Sequence, residues 1–224
     1  MSIFKKYPNL TVVIACLFWG TYWIPLRLID SNNESSVWPI ALSFLIISII
    51  LCKNFKEIIN SLFLKKNYYF LLGCFFAALG IALYSESLLR GEIAKVVVLF
   101  YLCPIWGTIF SKILLKKNFT LNRYLSIILG IFGLEIIIGF EKGIFLPSSI
   151  VEWIAILAGI SWALGTTFFH LAKPTSSSEK TSLTGFFVAF LFLLLAFIPE
   201  GRSFNIQDNF SYFNILYYND TRLK

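Results

Sequence analysis

Residues 68–88 read YYFLLGCFFAALGIALYSESL and decide the fold class. The run is 21 residues long and carries one charge, Glu86. About 20 mostly apolar residues suffice for an α-helix to cross a bilayer. The run is too long for a strand and does not alternate, so a helix is predicted. Gly73, Ala77, Gly80, Tyr84 and Ser87 recur at helical spacing and form one narrow stripe of mainly small residues. Small stripes let helix backbones approach closely in lipid, where burial brings no hydrophobic gain.

Working outward, further apolar runs cover 10–29, 37–52, 93–115, 121–140, 152–171 and 183–198. The expected fold class is therefore all-α: a polytopic transmembrane helix bundle of about seven helices. Composition agrees. Of 224 residues, 58% are hydrophobic and 14% charged, against roughly 45–50% and about 25% in soluble domains. A charge near the bilayer centre costs at least ~2.5 kcal/mol on insertion scales. The first run follows Lys5 and Lys6 like a signal peptide, but it is long, contains Trp19, Tyr22, Trp23 and Pro25, and has no small-residue cleavage site after it. It reads as a retained first span. Small stripes also mark the sixth span (Ala155, Gly159, Ala163) and the fifth (Gly130, Gly133), which predicts close packing there.

The net charge of +7 is topological. With the N-terminus inside, twelve Lys and Arg fall at inner ends and five at outer ends (Arg27, Arg90, Lys95, Lys142, Arg202), and Arg222 and Lys224 lie in the tail. Basic residues in short loops mark the cytoplasmic side. The expected localisation is the cell inner membrane, multi-pass, N-terminus cytoplasmic. No continuous basic face forms between the apolar runs, so nucleic acid is not an expected partner. The expected partners are a small-molecule solute, the lipid bilayer and a second copy of the chain in a homodimer. Cys16, Cys52, Cys74 and Cys103 are scattered, without a C-x-x-C pair, and fit neither a disulfide framework nor a zinc site.

The first and sixth spans share a pattern. Residues 16–23 read CLFWGTYW and residues 159–167 read GISWALGTT, each with a Trp followed by small residues and Thr. The two spans start five helices apart. An odd repeat enters the membrane from the opposite side in its second copy, the inverted construction many secondary transporters use.

These stretches resemble the drug/metabolite transporter superfamily, in particular its EamA-type members. Three carry the likeness: Phe18-Trp19-Gly20-Thr21 with Pro25; Ala77 to Gly80 and Tyr84, across a short turn to Ala94, Leu99, Pro104 and Lys116-Lys117, followed by Gly130 and Gly133; and Ile160-Ser161-Trp162-Ala163. The resemblance covers most of residues 8–200. It implies ten helices in two inverted five-helix halves around a central cavity for metabolites or drugs. It differs where Lys116 and Lys117 stand in place of a Glu common in that family. On this reading 8–142 is the first five-helix repeat, and 150–200 is a partial second repeat of two helices. Residues 201–224 form a tail in which 210–218 resembles the start of an eighth helix. The chain then reads as C-terminally truncated relative to that plan.

Few polar groups lie within the spans. Glu135 sits inside the fifth, where an ionisable group is a functional candidate; the alternative is that it reaches the interface or pairs with another helix. Trp19, Tyr22, Tyr84, Trp106 and Trp162 complete the substrate-binding candidates. The resemblance implies that Trp19, Tyr22, Trp106 and Trp162 lie on cavity-lining helices, where aromatic walls suit amphipathic metabolites and Tyr22 adds a hydroxyl, while ordinary packing is the competing reading. Glu86 and Arg90 stand four apart and can pair on a helix. His170, the single histidine, reads as interfacial. No P-loop, H-E-x-x-H or G-x-S-x-G pattern occurs, no cofactor or metal is expected, and the chain does not read as an enzyme. The expected function is a secondary transporter, a permease of small organic metabolites or drugs acting by alternating access. The alternative is an inactive truncated remnant or a non-catalytic membrane subunit.

Overall fold

The computed structural model describes residues 7–31, 37–52, 67–117, 121–138, 147 and 149–197. The described residues form nine helices and no strand. They are α1 (Pro8–Gly20), α2 (Trp23–Ser31), α3 (Val37–Leu51), α4 (Tyr68–Arg90), α5 (Ile93–Phe100), α6 (Cys103–Leu115), α7 (Leu121–Ile138), α8 (Ile150–Leu171) and α9 (Ser177–Ala196). Five stretches are long and apolar enough to cross a membrane: Asn9–Asp30, which joins α1 and α2, then α4, the joined pair α5 and α6 (Ile93–Leu115), α8 and α9; α3 is a shorter apolar helix. The tail from 198 onward, with the expected eighth helix, lies outside the described residues.

Two of the expected spans are interrupted. The first breaks at Thr21 and Tyr22, and the fourth at Tyr101 and Leu102. Proline explains both. Pro25 and Pro104 lie in the first turn of α2 and α6 and have no N–H to donate four residues back, to Thr21 and Phe100. Tighter bonds bridge the gaps, Tyr22 N–H to Trp19 O at 3.3 Å and Leu102 N–H to Leu99 O at 3.3 Å.

The seventh span begins earlier than its apolar run. Ser176 Oγ accepts from Glu179 N–H at 3.2 Å, and the Glu179 carboxylate accepts from Ser176 N–H at 3.3 Å. This capping box starts α9 at Ser177, six residues before the apolar stretch that marked the span. Ser149 caps α8 in the simpler way, accepting from Glu152 N–H at 3.2 Å.

Helix α8 is the hub. It packs along α4 and lies against α5 and α6; α9 packs on α3 and α4, and α2 on α4. Glycine makes the α4–α8 crossing close. A Cβ added at Gly165 would stand 2.5 Å from Ala77 N, and one at Gly80 would stand 2.8 Å from Trp162 N. The stripe predicted on α4 is thus the buried face: Gly73, Ala77, Gly80, Tyr84 and Ser87 are all buried. On α9, Gly185 meets Ser48 Oγ and the Phe44 carbonyl, and Ser182 Oγ donates to Ser48 O at 2.8 Å. Each hydroxyl bond of this kind contributes about 0.6 kcal/mol in a membrane bundle.

Gly130 and Gly133 depart from expectation. A Cβ at either meets nothing within 4 Å in the described structure, so the close packing predicted there is not found. A small residue permits close approach but supplies no partner, and among the described helices α7 meets even α6 only sparsely. Helix α1 is also set apart, with no extended packing against another described helix.

Candidate functional site

The break in the first span is the starting point. It places Trp19 at the end of α1 beside Tyr22, with ring centroids 5.7 Å apart and planes 5° from parallel. Because α4 passes behind the break, Tyr84 stacks on Trp19 from the other span at 5.8 Å and 13°. The fourth span breaks beside this group, so Phe100, the last residue of α5, stands 6.3 Å from Trp19 and 4.2 Å from Tyr84. Trp162 of α8 closes the group at 6.1 Å from Trp19. Five rings from α1, the α1–α2 break, α4, α5 and α8 therefore converge, with Trp19 in contact with the other four. Offset and tilted rings at these separations attract by about 0.5–1.5 kcal/mol per pair beyond area burial.

One polar contact is built into the cluster. Ser85 Oγ donates to Ile81 O at 2.8 Å, which leaves its oxygen to accept from the Tyr22 hydroxyl, also at 2.8 Å. Ser85 is fully buried and Tyr84 is 3% exposed. The two hydroxyls thus satisfy each other beside the aromatic rings.

Trp19, Tyr22, Tyr84 and Trp162 are therefore brought together. Trp106 is not in ring contact with them, but it lies on α6 beyond the second break, and its buried Nε1–H has no acceptor among the described residues. Glu135 falls in α7, and its side chain lies outside the described residues. The seat of α5 depends on Gly159, whose added Cβ would stand 2.8 Å from the Phe100 carbonyl.

Three participants were not singled out from the sequence. Phe100 and Ser85 look like ordinary span residues, and only the proline-induced breaks bring them to the cluster; Pro25 and Pro104 were the available signal. Arg27 was counted as a topological charge. Its Nε donates to Leu88 O at 2.7 Å and its second guanidinium nitrogen donates to Gly91 O, both at the end of α4. Nearby, Glu86 pairs with Arg90 at 3.0 Å, as the spacing predicted, and Lys95 pairs with Glu92 at 2.8 Å. His170 is exposed.

The opposite end of the bundle is tied by Asn67. Its side-chain amide accepts from Lys173 N–H at 3.1 Å and donates to Lys173 O at 3.4 Å, joining the start of α4 to the α8–α9 loop. The four cysteines are free, and no group of metal-ligating side chains gathers among the described residues.

Comparison with known proteins gives one family. No match was found among curated proteins or among solved structures. The model of the EamA-like transporter family matches residues 6–139, more than half of the chain and all of the first two interrupted spans. With its polytopic helical architecture and broken spans, the chain belongs to the EamA-like transporter family.

Proposed function

We propose that this membrane transporter is a secondary permease for small organic metabolites or drugs, and that the cluster around Trp19 is its solute site. The observation that carries the reading is the meeting of two interrupted spans at one aromatic cluster. Discontinuous helices mark binding sites near the bilayer midplane in many secondary transporters, because interruption frees backbone groups and gives the halves independent movement. Trp19, Tyr22, Tyr84 and Trp162 supply the walls, and the unpartnered Trp106 Nε1–H is a donor for a solute acceptor. The contact of Trp19 with Trp162 supports the inverted repeat, since these are the matching tryptophans of residues 8–142 and 150–200. Alternating access then moves one unit against the other across the inner membrane, with the N-terminus cytoplasmic. Glu135 is the proposed binding or coupling carboxylate.

Solute flux into proteoliposomes holding the full chain tests this reading. Trp19→Ala is expected to abolish flux of any transported solute at unchanged expression, and Glu135→Gln to reduce it. No flux for any of a panel of aromatic, cationic and zwitterionic metabolites sinks the transporter reading and favours a non-catalytic membrane subunit. Unchanged flux in Glu135→Gln removes that residue from the site.

A further inference from the structure

The nine residues of α2 follow a proline break and are too few to hold a helix in place by propensity. Their position comes from α4, the described helix that α2 packs along. Leu26 is buried there, at 3% exposed. In lipid, however, a leucine gains little by exchanging acyl chains for another helix. Directional polar contacts therefore decide where α2 sits.

Two such contacts join this part of the first span to α4. The Tyr22 hydroxyl donates to Ser85 Oγ at 2.8 Å. Arg27 Nε donates to Leu88 O at 2.7 Å, and a second guanidinium nitrogen donates to Gly91 O. The last carbonyls of a helix have no partner within it and carry partial negative charge, so the fork supplies what the end of α4 lacks. A planar guanidinium reaches two carbonyls at once, whereas an ammonium is a point charge. Of the nearby carboxylates, Glu86 pairs with Arg90 and Glu92 with Lys95. Asp30, whose charge acts on Arg27, belongs to α2 itself, so attraction to it leaves α2 free relative to α4.

Ser85 and Leu88 stand three residues apart on α4, about one helical turn. A single tie would leave α2 a pivot. Two ties a turn apart fix both its height and its rotation. Tyr22 lies 5° from parallel with Trp19, and Trp19 lies 13° from parallel with Tyr84, the residue before Ser85. The three rings stay parallel only while α2 and α4 keep this register.

We propose that Arg27 is a positioning residue of the solute site: its fork to the end of α4 sets the register of α2, and thereby holds Tyr22 and Trp19 in the parallel stack on Tyr84. The proposal rests on reading the cluster as the solute site. It gives control of that aromatic wall to a residue whose bonds go to backbone carbonyls beyond it.

Near-ultraviolet circular dichroism of the full chain in detergent tests it. Six tryptophans are present, so the Trp19 signal is taken as the difference between each protein and the same protein carrying Trp19→Phe. Arg27→Gln should lose most of that difference signal. Arg27→Lys, which keeps the charge without the fork, should lose part of it. Asn67→Ala, which cuts the clasp at the other end of the bundle, is the control: it should lower the melting temperature and leave the Trp19 signal whole. In proteoliposomes, the KM for a panel solute that the parent carries should rise about fivefold or more in Arg27→Gln, with Vmax changed less. A Trp19 signal unmoved by Arg27→Gln, an equal loss of it in Asn67→Ala, or an unmoved KM each overturns the proposal. If Arg27→Gln fails to accumulate, Arg27→Lys decides, and a signal equal to the parent's overturns the fork. Absence of flux in the parent strikes the transporter reading alone, and the spectra still decide whether Arg27 positions the stack.

Discussion

Replacing Gly165 by Ala should destabilise the protein, whereas the same change at Gly130 should stabilise it. The added methyl at Gly165 would stand 2.5 Å from Ala77 N, 3.0 Å from Ala77 Cα and 2.9 Å from Gly73 O. All three are backbone atoms of α4, so no side chain can rotate away. Ordinary contact begins near 3.4 Å, and the two helices must part by about 0.9 Å at their closest point. Overpacking of this kind costs about 1–3 kcal/mol. Alanine returns about 0.5–1 kcal/mol as the better helix former. The net loss is centred at ~1 kcal/mol and reaches about 2.5 kcal/mol, a drop of about fivefold at the centre in the folded-to-unfolded ratio. At Gly130 nothing lies within 4 Å, and only the propensity gain of about 0.5–1 kcal/mol remains. Thermal unfolding in detergent, followed by tryptophan fluorescence, should show Gly165→Ala melting below the parent by a few degrees and Gly130→Ala melting slightly above it. If Gly165→Ala melts at or above the parent, or Gly130→Ala falls as far, the backbone-contact account of the α4–α8 crossing is wrong.

Other outcomes follow from single contacts. Asn67→Ala leaves the Lys173 amide without its side-chain partner and should cost about 1–3 kcal/mol, read as a lower melting temperature and faster proteolysis within 172–176. Tyr22→Phe removes one hydroxyl bond and should cost about 0.5–1 kcal/mol while leaving the ring stack in place, so flux should fall less than in Trp19→Ala. Ser176→Ala breaks the capping box and should cost about 1 kcal/mol, and Ser176→Asp should restore most of it. Gly159→Ala forces the Phe100 carbonyl away from α8 and should reduce flux more than its change in melting temperature accounts for; equal losses in both would make Gly159 a packing residue alone.

The spans were legible because a lipid-crossing helix must be long and apolar, and length and apolarity are read directly from residues such as 68–88. The α4 stripe was legible for a related reason, since Gly73, Ala77 and Gly80 sit where a close neighbour is admitted. Gly130 and Gly133 show the limit: smallness says that a helix can approach and leaves open whether one does. The breaks were hidden because Thr21, Tyr22, Tyr101 and Leu102 are as apolar as their neighbours, and the cause lies two to four residues on, in Pro25 and Pro104. The start of α9 was hidden by polar residues that a hydropathy reading discards and a cap requires. At the site, four of the six proposed residues meet or join the cluster because aromatic residues on span interiors favour one another. Arg27 reads from the sequence only as a topological charge at an outer span end, because its partners are backbone carbonyls, which leave no trace in the side-chain sequence.

The Asn67–Lys173 clasp joins residues 106 positions apart in the chain. Helices enter the membrane in the order of synthesis, so α4 is laid down while its glycine face and the Asn67 amide still lack their counterparts. Neither is satisfied until α8 and the loop after it have left the ribosome. During that interval, about a hundred residues of translation, the third span is a helix whose most adhesive surface is turned toward lipid or toward the insertion machinery. Completion of the α4 packing face is therefore timed by arrival of α8. A pause in synthesis between residues 140 and 170 should lengthen the life of a protease-sensitive intermediate far more than a pause elsewhere.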